Sequence, residues 1–166
     1  MTGRLNRASG LFAQPMILRL LDHEAAQAKR HSTPIAVIRF SFLLDDDLDV
    51  AAARSAHQML AQVLNTQLRA IDLPGHLEDD YLIVLPITTD AGSRALAARL
   101  VRAVAGLSLP FPTRRVNPAI CVGLSTHPGG QACDGNALGD QARVAWREAL
   151  RQGPNSIVNY SDLQEP

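Results

Sequence analysis

A sheet strand is written into PIAVIRFSF, residues 34 to 42. The run is β-branched and aromatic, with polar side chains only at alternate late positions, which is the pattern of a mostly buried strand. A strand this apolar needs cover, and the flanking segments supply it. Between Pro15 and Arg30 apolar residues recur at Met16, Ile17, Leu20, Leu21, Ala25 and Ala28, a helical spacing that Thr33-Pro34 stops. Val50 to Ala70 repeats it at Ala53, Leu60, Ala61, Leu64 and Leu68. IDLPGHLEDDYLIVLP then reads as a short strand, a Pro-Gly turn and a strand over 81 to 86, a β-hairpin.

Asp90 is expected to cap a helix running to Gly106, with Leu96, Leu100 and Val104 inward. RRVNPAICVGLST, 114 to 126, predicts a strand in which Pro118 marks an edge or bulge. A turn-rich loop, GGQACDGNALGD, launches a helix from about Ala137 to Arg151, and NSIVNY, 155 to 160, closes the chain as a strand. The order α β α β β α β α β predicts an α/β sandwich, a mixed sheet covered by helices.

Composition removes several classes of function. Lys and Arg total 16 and Asp and Glu total 16, so nothing draws the chain to nucleic acid or to an anionic membrane in bulk. No stretch is long and apolar enough for membrane insertion, and a cytoplasmic protein is expected. At 166 residues the expectation is a single domain, 1–166, with a core from about 11 to 160 and loose termini at 2 to 10 and 161 to 166.

Cys121 and Cys133 match no metal-ligand spacing. His23, His31, His57, His76 and His127 are dispersed, without HxxxH or HExxH spacing, and read as surface or packing residues. No Gly-rich stretch has Walker spacing, and no nucleophile–base constellation can be assembled from order and context. Trp146 reads as a core or interface anchor. Neither a metal nor a cofactor is expected.

Five segments, in order and on the right elements, resemble the GGDEF family of diguanylate cyclases. ASGLFAQ, 8 to 14, stands where the family has LTGLxNR. Ala61, Leu64, Arg69 and Asp72 answer AxxLxxxxRxxD, and LEDDYLIVLP occupies the GGDEFxxxLP position. CVGLST resembles the family's SIGVA strand, and residues 142 to 160 resemble its ADxALYxAKxxGRNRVxxY ending. The resemblance implies a GGDEF/nucleotidyl-cyclase-like sandwich with a mainly antiparallel five-stranded sheet and flanking helices.

The departures imply a degenerate, inactive member, not an enzyme. Leu77 and Glu78 replace the two signature glycines, which in the family let GTP lie against bare backbone, so both are expected to obstruct a nucleotide. Ser41 stands near the first-strand position of a metal carboxylate, with Asp79 and Asp80 in the signature, followed by Tyr81. Ala13 replaces a nucleotide-contacting Asn, Leu150 a phosphate-contacting Lys, and SFLLDDDLD a longer DxDxFKxxND segment. Phosphoryl transfer rests on positioning and charge stabilisation, and these losses leave the Leu77–Tyr81 signature a vestige or a surface patch.

What remains is RxxD, Arg69 and Asp72, which in the family forms an inhibitory cyclic di-GMP site. Its guanidinium suits a phosphate or a guanine acceptor edge, and its carboxylate suits guanine N–H groups. The bland alternative is a helix end in which Arg meets the dipole and Asp begins a turn. The resemblance implies as partners cyclic di-GMP, a protein in a signalling or exopolysaccharide system that this chain would regulate, and a second copy in a homodimer. Two other readings stay open: a protein-interaction module without nucleotide binding, and a surviving cyclase drawing metal ligands from Asp45, Asp46 or Asp47.

Overall fold

The computed structural model describes residues 5–6 and 10–164. In chain order its elements are β1 (Leu5–Asn6), β2 (Leu11–Phe12), α1 (Gln14–His31), β3 (Ile35–Leu43), α2 (Val50–Asn65), β4 (Leu73–His76) and β5 (Tyr81–Pro86). They continue as α3 (Asp90–Ala105), β6 (Leu109–Phe111), β7 (Arg114–Val116), β8 (Ala119–His127), α4 (Gly135–Gln152), β9 (Ile157–Asn159) and α5 (Tyr160–Leu163).

The expected buried strand is β3, and it lies inside the main sheet, whose order is β1-β2-β4-β5-β3-β8-β9. It runs antiparallel to both neighbours, β5 and β8, while β9 joins β8 in parallel. The expected mainly antiparallel five-stranded sheet is therefore present as β4-β5-β3-β8-β9, and the two-residue strands β1 and β2 extend its edge. Because side chains alternate along a strand, β3 divides the core in two. Ala36, Ile38, Phe40 and Phe42 face α2 and α3, whereas Ile35 and Val37 pack with α1 and α4.

The structure corrects the sequence reading in several places. α2 stops at Asn65, not Ala70: the Thr66 hydroxyl donates to the Val63 carbonyl at 2.6 Å, and the amides of Gln67 and Leu68 bond three residues back. That tightened end frees residues 66–72 to lead into β4. Pro74 and Gly75 are not the hairpin turn; they are paired strand residues, opposite Ile83 and Leu82. Gly75 is required there by packing, since a Cβ would overlap the side chain of Ile17 on α1.

The turn is Leu77–Asp80, closed by the Leu77 amide donating to the Asp80 carbonyl at 2.8 Å. Thr89, not Asp90, caps α3, accepting from the Gly92 amide. Residues 114–126 form two strands, with β7 turning back on β6 in a separate hairpin that the sequence reading missed. The stretch expected to be loose after residue 160 begins as the helical turn α5, tied to α3 by Arg94 and Asp162 at 3.0 Å. Of the ASGLFAQ segment, Ala8 and Ser9 lie outside the described residues.

Candidate functional site

The signature hairpin splits its residues between the two faces of the sheet. Leu77 turns inward, 7% exposed, and joins the cluster of Ile17 and Leu21 on α1. An apolar side chain beside an open hydrophobic cluster gains more from burial than from pointing at solvent. Glu78 and Asp79 remain exposed, as an acidic tip. Asp80 and Tyr81 are buried, on opposite faces of the sheet.

Tyr81 lies on the α2 side, stacked on Phe40 with ring centroids 5.0 Å apart. Its hydroxyl meets His57 Nδ1 at 2.6 Å. Burial, with the Asp80 charge adding to it, pushes the Tyr81 phenol up to about 12, so the phenol keeps its proton, and the imidazole tautomer sets which partner donates. Burial, and secondarily His76 nearby, hold His57 below its ordinary value, which suits a neutral acceptor ring. A cavity of about 540 Å³ opens beside this pair, with Phe12 and Leu77 on its apolar wall and Arg54, Gln58 and Glu78 at its polar edge. Sequence reading missed His57 and Arg54, because nothing in their spacing links them to the hairpin.

On the other face, Asp80 meets Arg39, Oδ2 to Nη2 at 2.9 Å. Arg39 is the one charged residue of β3, and in that apolar strand a buried charge requires a partner. Its guanidinium lies 5.1 Å from the ring centre of Trp146, and the indole N–H donates to Ser41 Oγ at 2.9 Å. Gly123, opposite Arg39 on β8, makes this possible. A Cβ there would run into the backbone of α4 at Ala142 and Trp146, so glycine lets the helix lie against the strand. Arg39 Nε and Asp80 Oδ1 are buried without hydrogen-bond partners.

The divalent cations that the resemblance implies do not fit these residues. Ser41 offers a hydroxyl that already accepts from Trp146, and Asp80 is paired with a guanidinium. Of the alternative metal ligands Asp45, Asp46 and Asp47, the first and last are engaged by Arg114 from β7. Among the described residues no group of three or more His, Cys, Asp or Glu side chains could hold a metal ion.

Arg69 and Asp72 are brought together in the loop between α2 and β4. The Asp72 side chain is 2% exposed and accepts from the Arg69 amide at 2.8 Å, from Arg69 Nη2 at 2.8 Å and from Nε at 3.2 Å. Nη2 also donates to the Pro86 carbonyl at 3.1 Å and to Thr88 Oγ1 at 2.5 Å. The pair thus fastens the loop to the end of β5. Nη1 donates to no acceptor among the described residues, and the Arg69 side chain is 49% exposed.

No family model matches the chain, and no curated protein does. Solved structures do match. The GGDEF domain of DgcB from Caulobacter crescentus, in complex with c-di-GMP, aligns at TM-score 0.85 and 13% identity over 97% of this chain and 98% of its own. The FimX GGDEF domain from Pseudomonas aeruginosa aligns at TM-score 0.84 and 15% identity, over 96% of this chain and 99% of that one. Diguanylate cyclase SiaD from Pseudomonas aeruginosa, in complex with its activator SiaC, gives TM-score 0.82 and 21% identity; 93% of this chain is covered, against 60% of SiaD. The chain has the fold of a GGDEF domain.

Proposed function

We propose that this chain is a catalytically silent GGDEF-fold signalling domain that receives cyclic di-GMP at Arg69 and acts on a protein partner in the cytoplasm. The observation that carries the reading is the stationing of Arg69. A buried carboxylate holds its guanidinium by Nε and Nη2, while the side chain stays half exposed and Nη1 has no acceptor among the described residues. A fork fixed in this way loses little freedom on meeting a phosphate or a guanine edge. Asp72 becomes the residue that positions Arg69, since its oxygens are taken up within the loop. The c-di-GMP complex of the DgcB domain and the activator complex of SiaD supply precedents for both kinds of partner. No helix among the described residues is long and apolar enough to cross a membrane.

The silent half of the reading rests on Ser41 in place of a carboxylate and on the pairing of Asp80. A second reading, the interaction module without nucleotide, is favoured by the bonds from Arg69 to Asp72, Pro86 and Thr88, which account for the pair as a structural clasp. Calorimetric titration with cyclic di-GMP decides between them. The receptor reading expects binding by the wild type and a loss of about ten- to hundredfold in Arg69→Ala, the worth of a charge-assisted hydrogen bond. Absence of heat and of a thermal shift in the wild type hands the molecule to the second reading. Cyclic di-GMP formed from GTP would end the silent one.

A further inference from the structure

We infer that Arg39 is a built-in cation: it takes the place of a divalent metal at the signature hairpin and keeps such an ion out. This rests on the reading of the domain as catalytically silent. Arg39 stands in a strand whose neighbours Ile38 and Phe40 are buried, and its own side chain is only 18% exposed. A guanidinium in such a place must be neutralised, and the Asp80 side chain, 6% exposed, does so from the end of the hairpin turn.

The register makes the arrangement local. Phe40 pairs with Tyr81, so one step further Ser41 comes opposite Asp80, and Arg39 lies two residues back on the same face. Ser41, Asp80, Arg39 and Trp146 therefore form one cluster. Its charges already balance, one guanidinium against one carboxylate, and the Trp146 ring adds a favourable face for the cation. A divalent ion would have to share this cluster's one carboxylate, Asp80, with a fixed positive charge and would gain just a hydroxyl from Ser41. Hard divalent cations require several oxygen ligands and surplus negative charge, neither of which this cluster offers.

The test is Mn²⁺ titration of the full chain, read by the EPR signal of the free ion and by thermal shift. The wild type should leave the signal unchanged. Ser41→Asp should also leave it unchanged, because Arg39 stays paired with Asp80 and denies an ion the second carboxylate it needs. Arg39→Gln combined with Ser41→Asp should deplete the free-ion signal and raise Tm with Mn²⁺, and adding Asp80→Asn should abolish both effects. Mn²⁺ uptake by the wild type that Asp80→Asn removes, or uptake by Ser41→Asp alone, overturns the inference. So does a folded double variant that takes up no Mn²⁺; if the double variant does not fold, the Ser41→Asp result decides. Mn²⁺ uptake by the wild type, lost in Asp80→Asn, with no cyclic di-GMP formed from GTP would sink this inference and leave the functional reading standing.

Discussion

Two Arg–Asp pairs hold the ends of the hairpin strands, and they use the same chemistry to opposite effect. Arg69–Asp72 joins residues three apart, closes a loop, and leaves the arginine half in solvent. Arg39–Asp80 joins residues 41 apart and locks the turn to the centre of the sheet, with both partners largely buried. In the first pair the carboxylate is fully used, by a backbone amide and by two guanidinium nitrogens. In the second, one donor meets one acceptor and a polar atom on each side goes without a partner. The first can present a charge to a ligand because its acid does the holding; the second is occupied with compensating itself.

The sharpest way to break this contrast is to remove each acid. Asp80→Ala strands the Arg39 charge inside the sheet and should destabilise by about 3 to 5 kcal/mol, the range for breaking a buried pair. Replacing both partners with apolar residues, Arg39→Leu with Asp80→Leu, should recover most of that loss, and urea unfolding of the single and double variants measures it. If the single variant costs no more than an exposed ion pair, about 0 to 1 kcal/mol, the pair is not the buried lock described above.

Asp72→Ala should cost less, about 1.5 to 3 kcal/mol, because it removes charge-assisted hydrogen bonds but leaves Arg69 able to reach water. Its effect should also extend to binding: with its holder gone, Arg69 loses its fixed orientation and the affinity for cyclic di-GMP falls even though the ligand never needs Asp72 itself. Asp72→Asn, which keeps the acceptor oxygen for the Arg69 amide, should restore stability more than affinity. Equal recovery of both would merge the positioning role with the structural one.

The smallest effect concerns pH, and it belongs to neither pair. His57 titrates below its ordinary value in the folded chain, so the unfolded chain takes up the proton first. The stability carried by neutral His57 is therefore complete above about pH 6.5 and is lost as the pH falls through that value towards the folded one. Tm recorded from about pH 7 down to about pH 5 should decline less steeply in His57→Asn than in the wild type. Parallel slopes would mean that the Tyr81–His57 contact does not depend on the neutral ring.

Local pattern was enough to place β3, the four long helices and the hairpin strand Tyr81–Pro86, because burial periodicity and turn chemistry act within a few residues of one another. That Asp72 begins a turn could be read locally, since an Asp side chain readily bonds an amide three residues away, but α2 ends at Asn65, so Arg69 does not sit on the helix end. The signature residues were located but their directions were not. Leu77 was expected to face a nucleotide and instead fills the α1 cluster, because hairpin turn geometry, and not residue type, decides which face a side chain joins.

Nothing local marks Arg39 as a site residue, since its partner is 41 residues away and its neighbour Trp146 lies on another element. Only the register of β3 with β5, and the close approach of α4 that Gly123 allows, bring Asp80, Ser41 and Trp146 to it. Short-range preferences thus determined the elements and their order. The chemistry of the hairpin was decided by long-range strand pairing, where a shift of one residue would have sent Asp80 to the side of the sheet that Tyr81 now occupies.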